Sequence, residues 1–203
     1  MTQKMSLKNG VCDEHKFVIS ACGFTFQGYC SILNKYGIHA SQIHFNGDEA
    51  SQQDVENILK NQDAHIVVFL GKGVVNLLES LKRLASVLNA LPVIRHVTLY
   101  GDIPDGWLYR TLGSLLNNSY QLSLIRVASV SDIVGCFNTH YKSFKDRSRV
   151  LRERYMDIGS EENLKWLTRR EIDVLLNFYR GMSVKEMCDR MGLSNKTVYT
   201  HRK

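Results

Sequence analysis

Near the end of the 203-residue chain, Ser194 is followed by Asn195, Lys196, Thr197, Val198, Tyr199, Thr200, His201, Arg202 and Lys203. A helix built from these residues would bury Val198 and turn hydroxyl, amide and cationic groups outward, chemistry that suits a groove of phosphates and base edges. Groups that make and break bonds are not gathered elsewhere. The seven histidines are scattered, and no Ser/His/Asp set or pair of carboxylates has a spacing that implies catalysis. Gly71-Lys72-Gly73 could cradle a phosphate but lacks the G-x-x-x-x-G-K-[ST] frame, so it is expected to turn a strand into a helix. Cys12, Cys22, Cys30, Cys136 and Cys188 are odd in number, with no C-x-x-C and no histidine at metal spacing. They are expected to be buried, reduced thiols of a cytoplasmic protein. On this reading the chain is not an enzyme and carries no cofactor and no metal.

The elements that would position Asn195–Lys203 can be read from local signals. Thr168 and Glu171 form T-x-x-E, and Ser183 and Glu186 form S-x-x-E, so two capping boxes open two helices. Leu167 with Ile172, Met182 with Met187, and Leu193 with Val198 stand at the spacing of hydrophobic staples. Gly181 and Gly192 supply the stops, and Ser194 caps the third segment. Ile172, Leu175, Leu176 and Tyr179 give the first helix one apolar face, and Val184, Met187 and Met191 give the second another. Helices this short must pack on one another, and the short glycine-containing turn between the second and third is that of a helix-turn-helix.

Residues 167 to 203 resemble the helix-turn-helix domain of LuxR/FixJ/NarL-type bacterial transcriptional regulators, whose pattern runs L-T-x-R-E-x-x-V-L-x-L, then G-x-S-x-K-E-I-A, then S-x-K-T-V-x-x-H. The matching residues are Leu167, Thr168, Arg170, Glu171, Val174, Leu175, Gly181, Ser183, Lys185, Glu186, Ser194, Lys196, Thr197, Val198 and His201, while Met187 and Cys188 replace the family's Ile and Ala. The resemblance implies double-stranded DNA as a partner. It assigns Tyr199, Thr200 and Lys203 to base edges and Lys196, Thr197 and Arg202 to phosphates. Family members continue through the rest of the recognition helix and a fourth, dimerising helix. The domain is therefore expected to be incomplete at its C-terminus, and a chain ending at Lys203 to bind DNA weakly and to fray there.

Charge agrees with this placement. Residues 168 to 203 carry eight Lys+Arg against four Asp+Glu, whereas residues 1 to 141 carry eleven of each. The positive field therefore lies where phosphate attraction would need it. The first 141 residues alternate between apolar runs ("KFVIS", "SQIHF", "HIVVFL", "VIRHVTLY", "QLSLIRVA") and helix-like stretches near 26–36, 50–62, 74–90, 106–117 and 130–143. Strands apolar on both faces with crossover helices between them imply a (βα)5 parallel sheet. The expected fold class is thus α/β: a receiver-like, flavodoxin-like domain over 1–143, a linker over 144–166 and a small all-α domain over 167–203. Arg147, Arg149, Arg152 and Arg154 in the linker are expected to be solvated. No apolar run approaches the roughly 18 residues of a membrane span, and the N-terminus has no signal-peptide core.

A receiver that accepts a phosphoryl group needs an acidic pair after its first strand, an Asp at the end of the third and a Lys at the end of the fifth. The corresponding places read "SACGF", "VVFLGKG" and "IRVAS"; the acceptor position falls at Phe69 to Gly71, and Arg126 is the nearest cation on strand five. Asp102 and Asp105 follow strand four and are expected in loop or helix-start roles. The expectation is a DNA-binding regulator whose first domain is not phosphorylated and serves in dimerisation or in sensing a partner or ligand. It resembles auxiliary regulators that pair with a complete response regulator, so a homodimer or a heterodimer with another LuxR-type regulator is implied. Two alternatives stay open: a phosphorylatable response regulator, and an interaction-only or ligand-binding (βα)5 protein that does not bind DNA.

Overall fold

The computed structural model describes residues 15–93, 95–133, 149–151 and 165–201. In β1 (His15–Ser20), Phe17 and Ile19 enter one core and Val18 the other. The same alternation runs through β5 (His65–Phe69), β6 (His96–Tyr100) and β7 (Ile125–Ala128), so both faces of the sheet are apolar and both must be covered. With β2 (His39–Gln42) at the edge, the parallel order is β2-β1-β5-β6-β7, the 2-1-3-4-5 winding of a flavodoxin-like sheet. Tyr29 and Leu33 of α1 (Gly23–Asn34) pack on one face. The other face receives Ile58 of α2 (Gln52–Lys60), the leucines of α3 (Val74–Ala90) and those of α4 (Asp105–Leu115).

Several details depart from the sequence reading. The second strand ends at Gln42 rather than running to Phe45, because the chain turns into a hairpin of β3 (Phe45–Asn46) and β4 (Glu49–Ala50) about Gly47, whose φ is 67°. "QLSL" belongs to a 3-10 turn, Ser119–Leu124, opened by the Asn118 side chain, and the strand proper begins at Ile125. The helix expected over 130–143 starts at Val130, and its course beyond Ile133 lies outside the described residues. Within the stretch expected as linker, β8 (Arg149–Val150) joins the sheet antiparallel to β7, and Leu151 is buried in the core. Arg147, Arg152 and Arg154 lie outside the described residues.

The three C-terminal helices form where the local signals place them. They are α5 (Arg169–Tyr179), α6 (Val184–Met191) and α7 (Asn195–His201). Both capping boxes close: the Glu171 carboxylate accepts from the Thr168 amide at 2.9 Å, and that of Glu186 from the Ser183 amide at 2.8 Å, while each hydroxyl accepts from its N3 amide. Burial opposes ionisation of Glu171, but the Thr168 amide and hydroxyl and the Lys165 ammonium together hold its carboxyl below the usual range. Gly192 ends α6 in the left-handed region, φ 62°.

The packing of α5 differs from expectation. It has two buried faces rather than one: Ile172 and Leu176 enter the core that α3 and α4 share with the sheet, whereas Val174 joins Met187 and Val198 in the small core of the three helices. Tyr179, expected on the apolar face, is 54% exposed. The cover for the Ile172–Leu176 face of α5 is supplied by the N-terminal domain. Burying side chains such as Ile172 and Leu176 contributes about 1.5–3 kcal/mol each, enough to make this seam a principal tie between the two halves.

Candidate nucleic-acid interface

Val198 is fully buried and anchors α7 on α5 and α6, which turns the opposite side of the helix to solvent. Asn195, Lys196, Tyr199 and Thr200 are exposed there, spaced i, i+1, i+4 and i+5, so they share one face. Thr197 is half-buried; its amide donates to Ser194 Oγ at 3.1 Å and the two hydroxyls pair at 2.8 Å, so its side chain completes the cap. Thr200 donates its hydroxyl proton to the Lys196 carbonyl, which leaves its oxygen as an acceptor. Arg202 and Lys203 lie outside the described residues. Asn195 was not among the residues expected to touch DNA.

The scaffold holds this head against the first domain by polar as well as apolar contacts. Lys82 on α3 lies 2.6 Å from Asp48 in the β3–β4 turn and 2.6 Å from Asp173 on α5. Burial opposes the charge on Lys82, but the Asp173 and Asp48 carboxylates outweigh it and raise its pKa; Asp48 is likewise lowered, its burial offset chiefly by Lys82. Arg180 pairs with Glu79 at 2.7 Å, Arg169 donates to the Leu115 carbonyl, and Ser114 donates to the Leu167 carbonyl at 2.8 Å. A polar cleft of about 500 Å³ runs along this seam between Asp48, Lys82, Asn89, Asn117, Arg169 and Asp173.

At the carboxyl edge of the sheet, where receiver chemistry would lie, the space is aromatic. Phe69, the last residue of β5, is buried and stacks on Tyr100 of β6 with centroids 5.3 Å apart, and the Tyr29 ring meets it edge-on at 5.2 Å. Gly71 is needed in the following loop, because a Cβ there would stand 2.5 Å from that of Asn76. Gly73 precedes α3 at φ 86°, so the GKG stretch is the expected strand-to-helix turn. Asp102 is exposed after β6, and Asp105 opens α4, matching their expected roles.

The cysteines need a correction. Cys22 is exposed at the cap of α1, and Cys30 and Cys188 are half-exposed, so these three are free but not buried; the short polar turn after β1 puts Cys22 in solvent. Cys12 and Cys136 lie outside the described residues. The amino edge of the sheet holds a chain of bonds that spacing did not disclose: the buried Lys16 ammonium lies 2.7 Å from His65 Nδ1, and His65 Nε2 lies 2.8 Å from the Thr98 hydroxyl. Among the described residues, no three His, Cys, Asp or Glu side chains gather to hold a metal, and no helix is long and apolar enough to cross a membrane.

Residues 165–203, which hold the three helices α5 to α7, match the family model of bacterial regulatory proteins, luxR family. The response regulator protein VraR of Staphylococcus saprophyticus is 31% identical over 113 residues, 55% of this chain and 52% of the relative, so the match spans about half of that protein's length. Among solved structures, a complex of the response regulator RcsB with DNA is 12% identical, covering 93% of this chain and 88% of the other, at a TM-score of 0.46. An RcsB structure from Salmonella typhimurium is 13% identical, covering 92% and 88%, at a TM-score of 0.41.

Proposed function

We propose that this response-regulator-like chain is a DNA-binding transcriptional regulator that reads double-stranded DNA through the exposed face of α7. The observation that carries the reading is one polar, cationic helix face, Lys196, Tyr199 and Thr200, standing behind a fully buried Val198 within a luxR-type helix-turn-helix. Lys196, Thr197 and Arg202 are assigned to phosphates and Tyr199, Thr200 and Lys203 to base edges.

The first domain is assigned a role that does not involve phosphorylation. Carboxylates are lacking at Ala21 and Cys22 and at Phe69 to Gly71, and Phe69, at the end of the third parallel strand in sequence, packs on the Tyr100 and Tyr29 rings and offers no oxygen to a phosphoryl group or Mg²⁺. Its roles are then dimerisation, with itself or with another LuxR-type regulator, or response to a partner or ligand. Selection from a randomised duplex library should return an enriched sequence whose binding weakens steeply with salt, and acetyl phosphate with Mg²⁺ should leave the protein unmodified. No enrichment and no salt-dependent binding would remove the DNA reading, and a stoichiometric, hydroxylamine-sensitive phosphate would restore the phosphorylatable alternative.

A further inference from the structure

We propose that the docked arrangement is itself the DNA-binding state: the first domain holds the three-helix head from behind and does not mask it, so binding needs no release of the seam. The inference rests on the reading of α7 as the DNA-facing helix. The order of side chains around α5 carries it. At about 100° per residue, Ile172 and Leu176 lie about 40° apart on the helix, and Val174 lies about 160° round from each. The first pair enters the core shared with α3 and α4, whereas Val174 joins Met187 of α6 and Val198 of α7. The helix α5 is therefore a middle layer, with the first domain on one side and the rest of the head on the other.

The same geometry continues through α7. Val198 turns into the three-helix core, and Lys196 and Thr200, two residues to either side of it, are exposed; both lie about 160° round from Val198. The reading face thus points away from the first domain, and the thicknesses of α7 and α5, about 10 Å each, stand between it and the docking surface. The seam itself is held at several points. Lys82 bridges Asp48 and Asp173 at 2.6 Å each, and Arg180 pairs with Glu79 at 2.7 Å. The Leu167 amide donates to Thr111 Oγ1 at 3.4 Å, and its carbonyl accepts from Ser114 at 2.8 Å. Undocking would separate these pairs and bare Ile172 and Leu176, yet it would uncover nothing on Lys196, Tyr199 or Thr200, which are already in solvent. A ligand shifts a conformational equilibrium only by its difference in affinity for the two states. DNA meets the same face of α7 in both, so it gains nothing from release.

Hydrogen exchange of the protein alone and with a saturating duplex recovered from a randomised library reads the seam directly. Amides of α3, α4 and α5 should keep their protection in the complex, changing by less than about twofold. Fluorescence titration of two charge-neutral variants gives an independent reading. Ile172→Val and Leu176→Ala loosen the seam and leave α7 unaltered, and neither should bind the duplex more tightly than the parent. Were release required, affinity would follow the fraction of heads already free, and Ile172→Val alone should tighten binding by roughly two- to tenfold. Ile172→Val, the milder change, keeps the comparison readable where Leu176→Ala unfolds the chain. Loss of protection in α3 and α4 on adding DNA, or tighter binding by either variant, overturns the inference and leaves the DNA reading intact. No binding by the parent to any duplex of the library removes the DNA reading, and the inference with it.

Discussion

The helices α5 and α7 belong to the same small unit, yet they commit their side chains in opposite ways. Into the core of the first domain α5 sends Ile172 and Leu176, into the three-helix core Val174, and across the seam Asp173 to Lys82 and Arg180 to Glu79. By contrast, α7 buries Val198 and leaves Asn195, Lys196, Tyr199 and Thr200 in solvent. Burial is therefore concentrated in the docking helix, and the recognition proposed above falls to α7, the reading helix of that proposal. Substitutions at the two should separate cleanly.

The largest effect is expected at the seam's apolar centre. Leu176→Ala removes a side chain that is 1% exposed and leaves a cavity between α5 and the core of the first domain. Chemical denaturation should show a loss of about 2–5 kcal/mol. Accessibility of α3 and α4 amides to hydrogen exchange should rise with it. A loss near zero would mean that the docked arrangement contributes little and that the two halves are coupled in some other way.

Next in size is Lys82→Ala, which leaves Asp48 and Asp173 facing each other without their shared cation. A loss of about 1–3 kcal/mol is expected, moderated because both carboxylates are partly solvated. The pH dependence follows from the two directions of shift. With its pKa raised, Lys82 contributes fully below the ordinary lysine range, and its share fades as pH rises through the raised value. With its pKa lowered, Asp48 contributes fully above about pH 3.9, the ordinary Asp value, and its share fades as pH falls through the lowered one. Urea midpoints at neutral pH and at pH 3 should therefore differ more in the parent protein than in the Lys82→Ala variant. Equal differences would show that the seam is held by its apolar part alone.

The comparison also explains what could be read from the sequence. The caps at Thr168, Ser183 and Ser194 were legible because each is settled within four residues, and the parallel sheet was legible because runs such as "HIVVFL" are apolar on both faces. The docking of Ile172 and Leu176 was not. A helix's spacing says that an apolar face exists, but not which surface more than 50 residues away will cover it. The β3–β4 hairpin had a local signal, Asn46-Gly47, but its strands are two residues long and show no alternation. That turn brings Asp48 to Lys82, so missing it concealed half of the ionic seam. On α7, the exposure of Lys196 and Tyr199 was legible from residue type and from the burial expected of Val198.

Smaller again are the caps. Thr168→Ala and Ser183→Ala each remove a hydroxyl that accepts from an N3 amide and partners a glutamate, and each should lower stability by about 1 kcal/mol. Thr168 lies at the seam, its Glu171 partner buried and its helix docked on α3 and α4, whereas Ser183 opens the exposed start of α6. Thr168→Ala should thus give the larger loss in a thermal melt. The reverse order would place more of the stability in the three-helix core than the burial of α5 implies.

The smallest effect on folding, and the clearest contrast with Leu176→Ala, belongs to Lys196→Ala. Its side chain is exposed and enters no ion pair among the described residues, so the denaturation midpoint should move by no more than about 0.5 kcal/mol equivalent. Binding should respond instead. Removing one phosphate contact should lower affinity for every duplex by a similar factor and reduce the dependence of log affinity on log salt by about one unit, leaving base preference untouched. If Lys196→Ala changed the order in which sequences are preferred, the residue would be reading bases rather than holding the backbone, and the division of the α7 face between Lys196 and Tyr199 would have to be inverted. If it destabilised the fold as Leu176→Ala is expected to, the separation between the docking helix and the reading helix would fail at its simplest point.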